Sequence, residues 1–146
     1  MMKPISVWKQ ELSGGAHAAR LAALYCCAPE QTPAQAARYE AVLDGLEATF
    51  GPHAEAGLYS APGRTEIGGN HTDHQHGRVL AGSVNIDMIA AAGPNTLGQL
   101  RVQSEGYDLC VIDLNDLAAR KEEENTSAAL LRGECEAFRQ RGAKLS

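Results

Sequence analysis

Apolar residues recur at helical spacing through the first third of the chain. Trp8 and Leu12 share one helical face, and Ala18, Leu21, Ala22 and Tyr25 resume the pattern after the Gly14-Gly15 break. Thr32-Pro33-Ala34-Gln35 is a helix-start signal, with a capping threonine, a proline at the first helical position and a glutamine at the third. From there Ala36, Tyr39, Leu43, Leu46 and Phe50 return every three or four residues until Gly51-Pro52 stops the helix. So short a run predicts a core-facing helix rather than a coiled coil. The period then changes. Leu58–Ala61 predicts a short strand, and Arg78–Ala92 is the most β-like and apolar region of the chain. After a turn at Gly93-Pro94-Asn95, Leu100–Ser104 alternates as a half-exposed strand closed by Gly106. Leu109–Leu114 puts Leu109 and Val111 on one face and Cys110 and Ile112 on the other. Strands in series with short turns predict an antiparallel meander. Lys121–Glu124 predicts a solvated turn. Asn125 and Thr126 then cap a last helix whose face is Ala128, Leu131, Cys135 and Phe138, with Gly142 as its stop. Helices, then strands, then a helix make the fold class α+β.

One stretch fits neither period. Ala61–Gly82 crowds a Pro-Gly turn, Arg64, a double glycine, His71, Asp73, His74 and His76 into a few positions. Glycine is penalised inside helices and strands, so neither element is expected through Gly63–Gly69. Turn residues mixed with reactive polar groups point to a ligand loop, against the plainer alternative of a polar surface loop. A metal is the second alternative. His71-Thr72-Asp73-His74 matches the end of the HxHxDH zinc-hydrolase pattern, but Gly69 stands where its first histidine would, and no HExxH or CxxC spacing supports it. The expectation is therefore no metal site, with His17 and His53 as isolated surface or core histidines.

Composition narrows the classes further. At 146 residues the chain is one domain's worth or less, long enough to hide roughly 68–70% of its unfolded surface. A net charge of −5 with interspersed signs leaves no footprint for nucleic acid or an anionic membrane. The longest apolar run, Leu21–Ala28, is too short to span a bilayer, and Lys9 and Glu11 follow Ile5–Trp8 too closely for a signal peptide. Cys26, Cys27, Cys110 and Cys135 have neither framework nor metal spacing, so buried free thiols in a reducing cytoplasm are expected.

The central stretch resembles the sugar-binding signature of the galactokinases, members of the GHMP small-molecule kinase superfamily. Their motif runs approximately P-G-R-x-N-[LI]-I-G-E-H-x-D-Y, followed by a glycine and a hydrophobic strand. Pro62-Gly63-Arg64, then Gly69, His71, Thr72 and Asp73, then Gly77, Val79 and Leu80 match it without interruption. Glu66, Gly68, Asn70 and His74 depart from it. The resemblance, extended from about Phe50 to Gly142, implies the N-terminal half of the ribosomal protein S5 domain 2-like kinase fold, a mixed or antiparallel sheet with helices, the signature lying at about 48–85.

The resemblance also implies roles. Arg64 would be catalytic, standing near the anomeric hydroxyl and the transferred phosphoryl group, where a permanently charged guanidinium stabilises negative charge. Arg64, Asn70, His71, Thr72 and Asp73 would bind the sugar, Asp73 accepting hydrogen bonds from ring hydroxyls. Asn70 replaces a usual carboxylate and could keep its contact in neutral form. An Arg64–Asp73 salt bridge within the loop is the competing assignment. The implied ligands are galactose, or a related sugar such as N-acetylgalactosamine or arabinose, and ATP with Mg2+. The sequence contains neither a GxxxxGK[ST] loop nor a GxGLSSSA-like loop for ATP phosphates. In the family the latter loop and the aspartate base follow a helix like Ala128–Arg141. The chain is thus expected to be an N-terminal galactokinase fragment without the C-terminal GHMP domain, inactive alone and marginally stable, since part of the Arg78–Ala92 surface would be bare. A non-catalytic sugar-binding or regulatory module is the alternative.

Overall fold

A computed structural model describes residues 1–69 and 76–145. Among the described residues it is α+β, with four α-helices and antiparallel strand pairing. The chain divides into two compact units, Met1–Pro94 and Asn95–Ser146.

In the first unit a two-residue strand β1 (Lys3–Pro4) leads into helices α1 (Ile5–Ser13), α2 (Ala18–Tyr25) and α3 (Thr32–Phe50), then strands β2 (Glu55–Gly68) and β3 (Leu80–Ala92). The three strands form one sheet in the order β1-β2-β3, antiparallel throughout. α3 forms on the expected stripe: Ala36, Tyr39, Leu43 and Leu46 are all buried, with Leu43 fully so. Gly51 ends it at φ +83°, a left-handed conformation glycine enters without steric cost. Ile5 and Leu12 of α1 and Leu21 and Tyr25 of α2 pack on that stripe, and Ile89 and Ala91 of β3 cover it. Two of its residues fasten α1: Lys9 Nζ lies 2.7 Å from both Asp44 and Glu47 of α3, and the Trp8 indole donates to the Ala56 carbonyl of β2 at 2.8 Å.

The start of α3 differs from expectation. Thr32 lies inside the helix, after a 3-10 turn at Pro29–Gln31, and its hydroxyl donates to the Pro29 carbonyl at 2.8 Å instead of accepting from the first turn. Gln35 accepts from Arg38 at 2.7 Å rather than closing a capping box. The larger correction concerns Gly63–Gly69. β2 runs through it to Gly68, because pairing with β3 supplies the ladder that local propensity withholds, and two register shifts absorb the glycines. The expected strand Leu58–Ala61 is only its middle.

The outward face of this hairpin is apolar and open: Ile86 is 76% and Met88 78% exposed, and Tyr59 is exposed beside them. A patch of this kind binds hydrophobic probes. Purified chain at neutral pH is expected to raise the fluorescence of such a dye, and an Ile86→Thr/Met88→Lys chain to lose most of that signal. Equal signals from the two would show that the dye reads loose packing elsewhere.

In the second unit β4 (Gln99–Val102) pairs antiparallel with β5 (Cys110–Asp113), and α4 (Ser127–Gln140) packs beside them. These strands form their own two-stranded sheet, so the expected meander is two separate ladders. Ile112 is fully buried with Leu117 and Cys135, and the alternation read from Leu109–Leu114 holds, since Leu109 and Val111 face solvent. Thr126 caps α4 as expected, accepting from the Ala129 amide at 3.3 Å. Phe138 is exposed, not part of the buried face. Nor is Lys121–Glu124 simply solvated. Arg132, 4% exposed, grips the Glu123 carboxylate with two hydrogen bonds of 2.8 and 2.7 Å and donates to the Asp116 carbonyl at 2.6 Å. That bidentate bond holds the Glu123 carboxyl below its usual range. All four cysteines are free, but only Cys135 is buried; Cys26, which follows the last residue of α2 in the left-handed region at φ 48°, is exposed.

Candidate functional site

The β2–β3 hairpin carries the central stretch. Arg64 lies on β2 opposite Ser83, with Thr65 opposite Gly82 and Glu66 opposite Ala81. Its side chain is exposed. Asn70, His71, Thr72, Asp73 and His74 lie outside the described residues, and so does the Arg64–Asp73 salt bridge weighed from sequence. What the structure does give is the frame on either side of them. Gly69 closes β2 at φ +115°, and a Cβ there would stand 2.5 Å from the Arg78 carbonyl oxygen and 2.7 Å from the Val79 Cα. No L side chain fits so close an approach of two backbones. On the far side His76 is exposed with φ 62°.

Beneath the hairpin stands a polar cluster that the sequence pattern hides. Asp87 of β3 has a side chain only 3% exposed. Its Oδ2 accepts from the hydroxyls of Tyr25 (α2) and Ser60 (β2), each at 2.6 Å, and its Oδ1 from the Arg38 guanidinium (α3) at 2.8 Å. Tyr39 continues the chain of hydroxyls, 2.8 Å from Tyr25, and the Arg38 guanidinium carbon lies 5.5 Å from the centre of the Tyr25 ring. Burial pushes the Asp87 pKa up, but the three donors and the Arg38 charge outweigh it and hold the carboxyl below its ordinary value. The same burial, with the Asp87 and Tyr39 hydrogen bonds, pushes the Tyr25 phenol well above its ordinary value.

This carboxylate is unsuited to proton abstraction. Three of its lone pairs are committed, its side chain is shut from solvent, and its proton affinity is reduced rather than tuned toward neutrality. Its effect is mechanical: one group joins α2, α3, β2 and β3 directly under Pro62, its partner in register. Tyr25 and Tyr39 read from sequence only as apolar positions on helical faces. The available signal was Asp87 itself, the one ionisable residue of β3, set between Ile86 and Met88. Such a group must find partners when buried.

Among the described residues no group of three or more His, Cys, Asp and Glu is placed to hold a metal ion, and no helix is long and apolar enough to cross a membrane. Residues 46–94 match the family model of the galactokinase galactose-binding signature. The span runs from the last turn of α3 through the whole hairpin and contains the 48–85 expected from sequence. No curated protein matches the chain, and no solved structure does.

Proposed function

We propose that this chain, which carries the galactokinase galactose-binding signature at residues 46–94, is the sugar-binding part of an enzyme that transfers the ATP γ-phosphate to the anomeric hydroxyl of galactose. The matched signature is the observation that supports this most. In this reading Arg64 meets the anomeric oxygen and the charge that develops on the transferred group. Asn70, His71, Thr72 and Asp73 hold the ring hydroxyls, with Asp73 as acceptor. The S5 domain 2-like kinase fold and a cytoplasmic setting belong to the same proposal. ATP with Mg2+ would be the phosphoryl donor. The described residues offer it no glycine- and serine-rich phosphate loop, so the chemistry this chain supplies is confined to the sugar side: binding it, orienting it and placing a cation beside the reacting oxygen.

The test is galactose binding by the chain itself, measured by calorimetry or ligand-observed NMR, with glucose as the control. A charge-assisted hydrogen bond contributes about 1.5–3 kcal/mol. Arg64→Ala is therefore expected to raise the galactose Kd by roughly tenfold or more. A wild-type chain that ignores galactose, or an Arg64→Ala chain that binds it equally well, would sink the assignment.

A further inference from the structure

The β2–β3 ladder breaks register between the pairs Pro62↔Asp87 and Arg64↔Ser83. One residue of β2, Gly63, stands there against three of β3: Val84, Asn85 and Ile86. The strands are pressed together at that point, since a Cβ on Gly63 would lie 3.2 Å from both the Ile86 carbonyl oxygen and Val84 Cγ2. A bulge bends its strand, adds twist and re-aims the side chains that follow it. Here the bulged strand is β3, and the added twist passes through the ladder to Arg64, the first β2 residue paired beyond the break, opposite Ser83.

Tyr25 holds this bulge at its middle residue and at the pair beside it. Asn85 Nδ2 donates to the Tyr25 carbonyl at 3.1 Å, and the Tyr25 hydroxyl donates to Asp87 Oδ2 at 2.6 Å. Tyr25 is the last residue of α2, where helix carbonyls lack an intrahelical partner. Asn85 supplies one. Tyr25 is itself buried and fixed by Tyr39 and by Arg38 over its ring. The end of α2 thus grips the bulge at two points, one through its backbone and one through its side chain.

We propose that Tyr25, through Asn85 and Asp87, is the positioning residue that sets the shape of the β3 bulge and thereby the direction of Arg64 toward the sugar. This rests on the sugar-binding reading above, and the experiment separates the two. Tyr25→Phe keeps the carbonyl contact and removes the Asp87 bond, whereas Asn85→Ala does the reverse. Each is compared with wild type by nitrogen-resolved NMR and by galactose titration. The Gly63 and Arg64 amides and the Arg64 side-chain Nε resonance are expected to shift in both variants, while the resonances of 95–144 stay in place. The galactose Kd should rise about tenfold in each variant, and by less than the product of the two in the double variant, because both act through one bulge. A merely structural role would lower the melting temperature and leave the Kd of the folded protein unchanged. Asn85 is exposed, so Asn85→Ala decides the matter if Tyr25→Phe does not fold. Unmoved Arg64 resonances in folded Asn85→Ala overturn the proposal. Absence of galactose binding by wild type removes the sugar-binding reading instead, and the direction of Arg64 is then judged on its own resonances.

Discussion

Gly69→Val is expected to abolish detectable galactose binding and to lower the stability of the hairpin unit. Two costs add. A β-branched residue held at φ +115° carries strain of about 1–3 kcal/mol, and its Cβ would sit 2.5 Å from a backbone oxygen that no side-chain rotation can move. β2 and β3 must part at that point, immediately before the sugar-binding positions proposed at 70–73. Gly68 separates this from a general intolerance of substitution, because a Cβ at Gly68 meets nothing within 4 Å. Gly68→Ala should therefore bind nearly as wild type does. Calorimetric titration of both variants checks the pair, and equal binding by Gly69→Val and Gly68→Ala would show that binding does not depend on the close approach at Gly69.

The second large effect falls on stability. Asp87→Ala strips one buried acceptor from Tyr25, Ser60 and Arg38 at once. Removing one partner of a buried ion pair costs about 3–5 kcal/mol. Arg38 is 39% exposed and can recover some hydration, so the lower end applies, about 3 kcal/mol, or a melting temperature lower by on the order of 10–20 °C in a unit of this size. Urea unfolding followed by circular dichroism gives the number. The acid limb gives the sign. The folded-state Asp87 pKa lies below its ordinary value of 3.8. Its contribution is therefore complete above about pH 4 and disappears as the pH falls through the folded value. Wild type should lose stability below about pH 4 more steeply than Asp87→Asn, which has no proton to take up there. Parallel acid limbs would mean that the carboxylate is not differentially protonated on unfolding.

The parts of this fold legible in the sequence are those in which one local rule decides. α3 announces itself through an apolar stripe and a Gly-Pro stop, and α4 through Thr126. The course of β2 was not legible, because glycines at 63, 68 and 69 argue locally against a strand, whereas the ladder to β3 is a long-range fact. The Arg132–Glu123 pair escaped for the same reason: a charge cluster reads as solvated until its partner, nine residues on, folds back over it. Asp87 was visible as the one ionisable residue of β3, but its partners come from α2, α3 and β2, which no spacing rule joins. In the signature, the residue identities were legible, and the bulge that precedes Arg64 was not.

Trp8 is the one tryptophan in the chain, and it sits in α1 with its indole hydrogen-bonded to β2 and the Lys3 ammonium 4.6 Å from the ring centre. The two units are therefore unequal emitters. Light absorbed selectively by indole returns from Met1–Pro94 alone, and Asn95–Ser146, whose aromatic residues are Tyr107 and Phe138, is dark. An emission-detected melt follows only the unit that carries the hairpin, whereas a calorimetric scan records heat from both. The separation between the two curves, in degrees, is a direct reading of whether the chain unfolds as one thermodynamic body or as two.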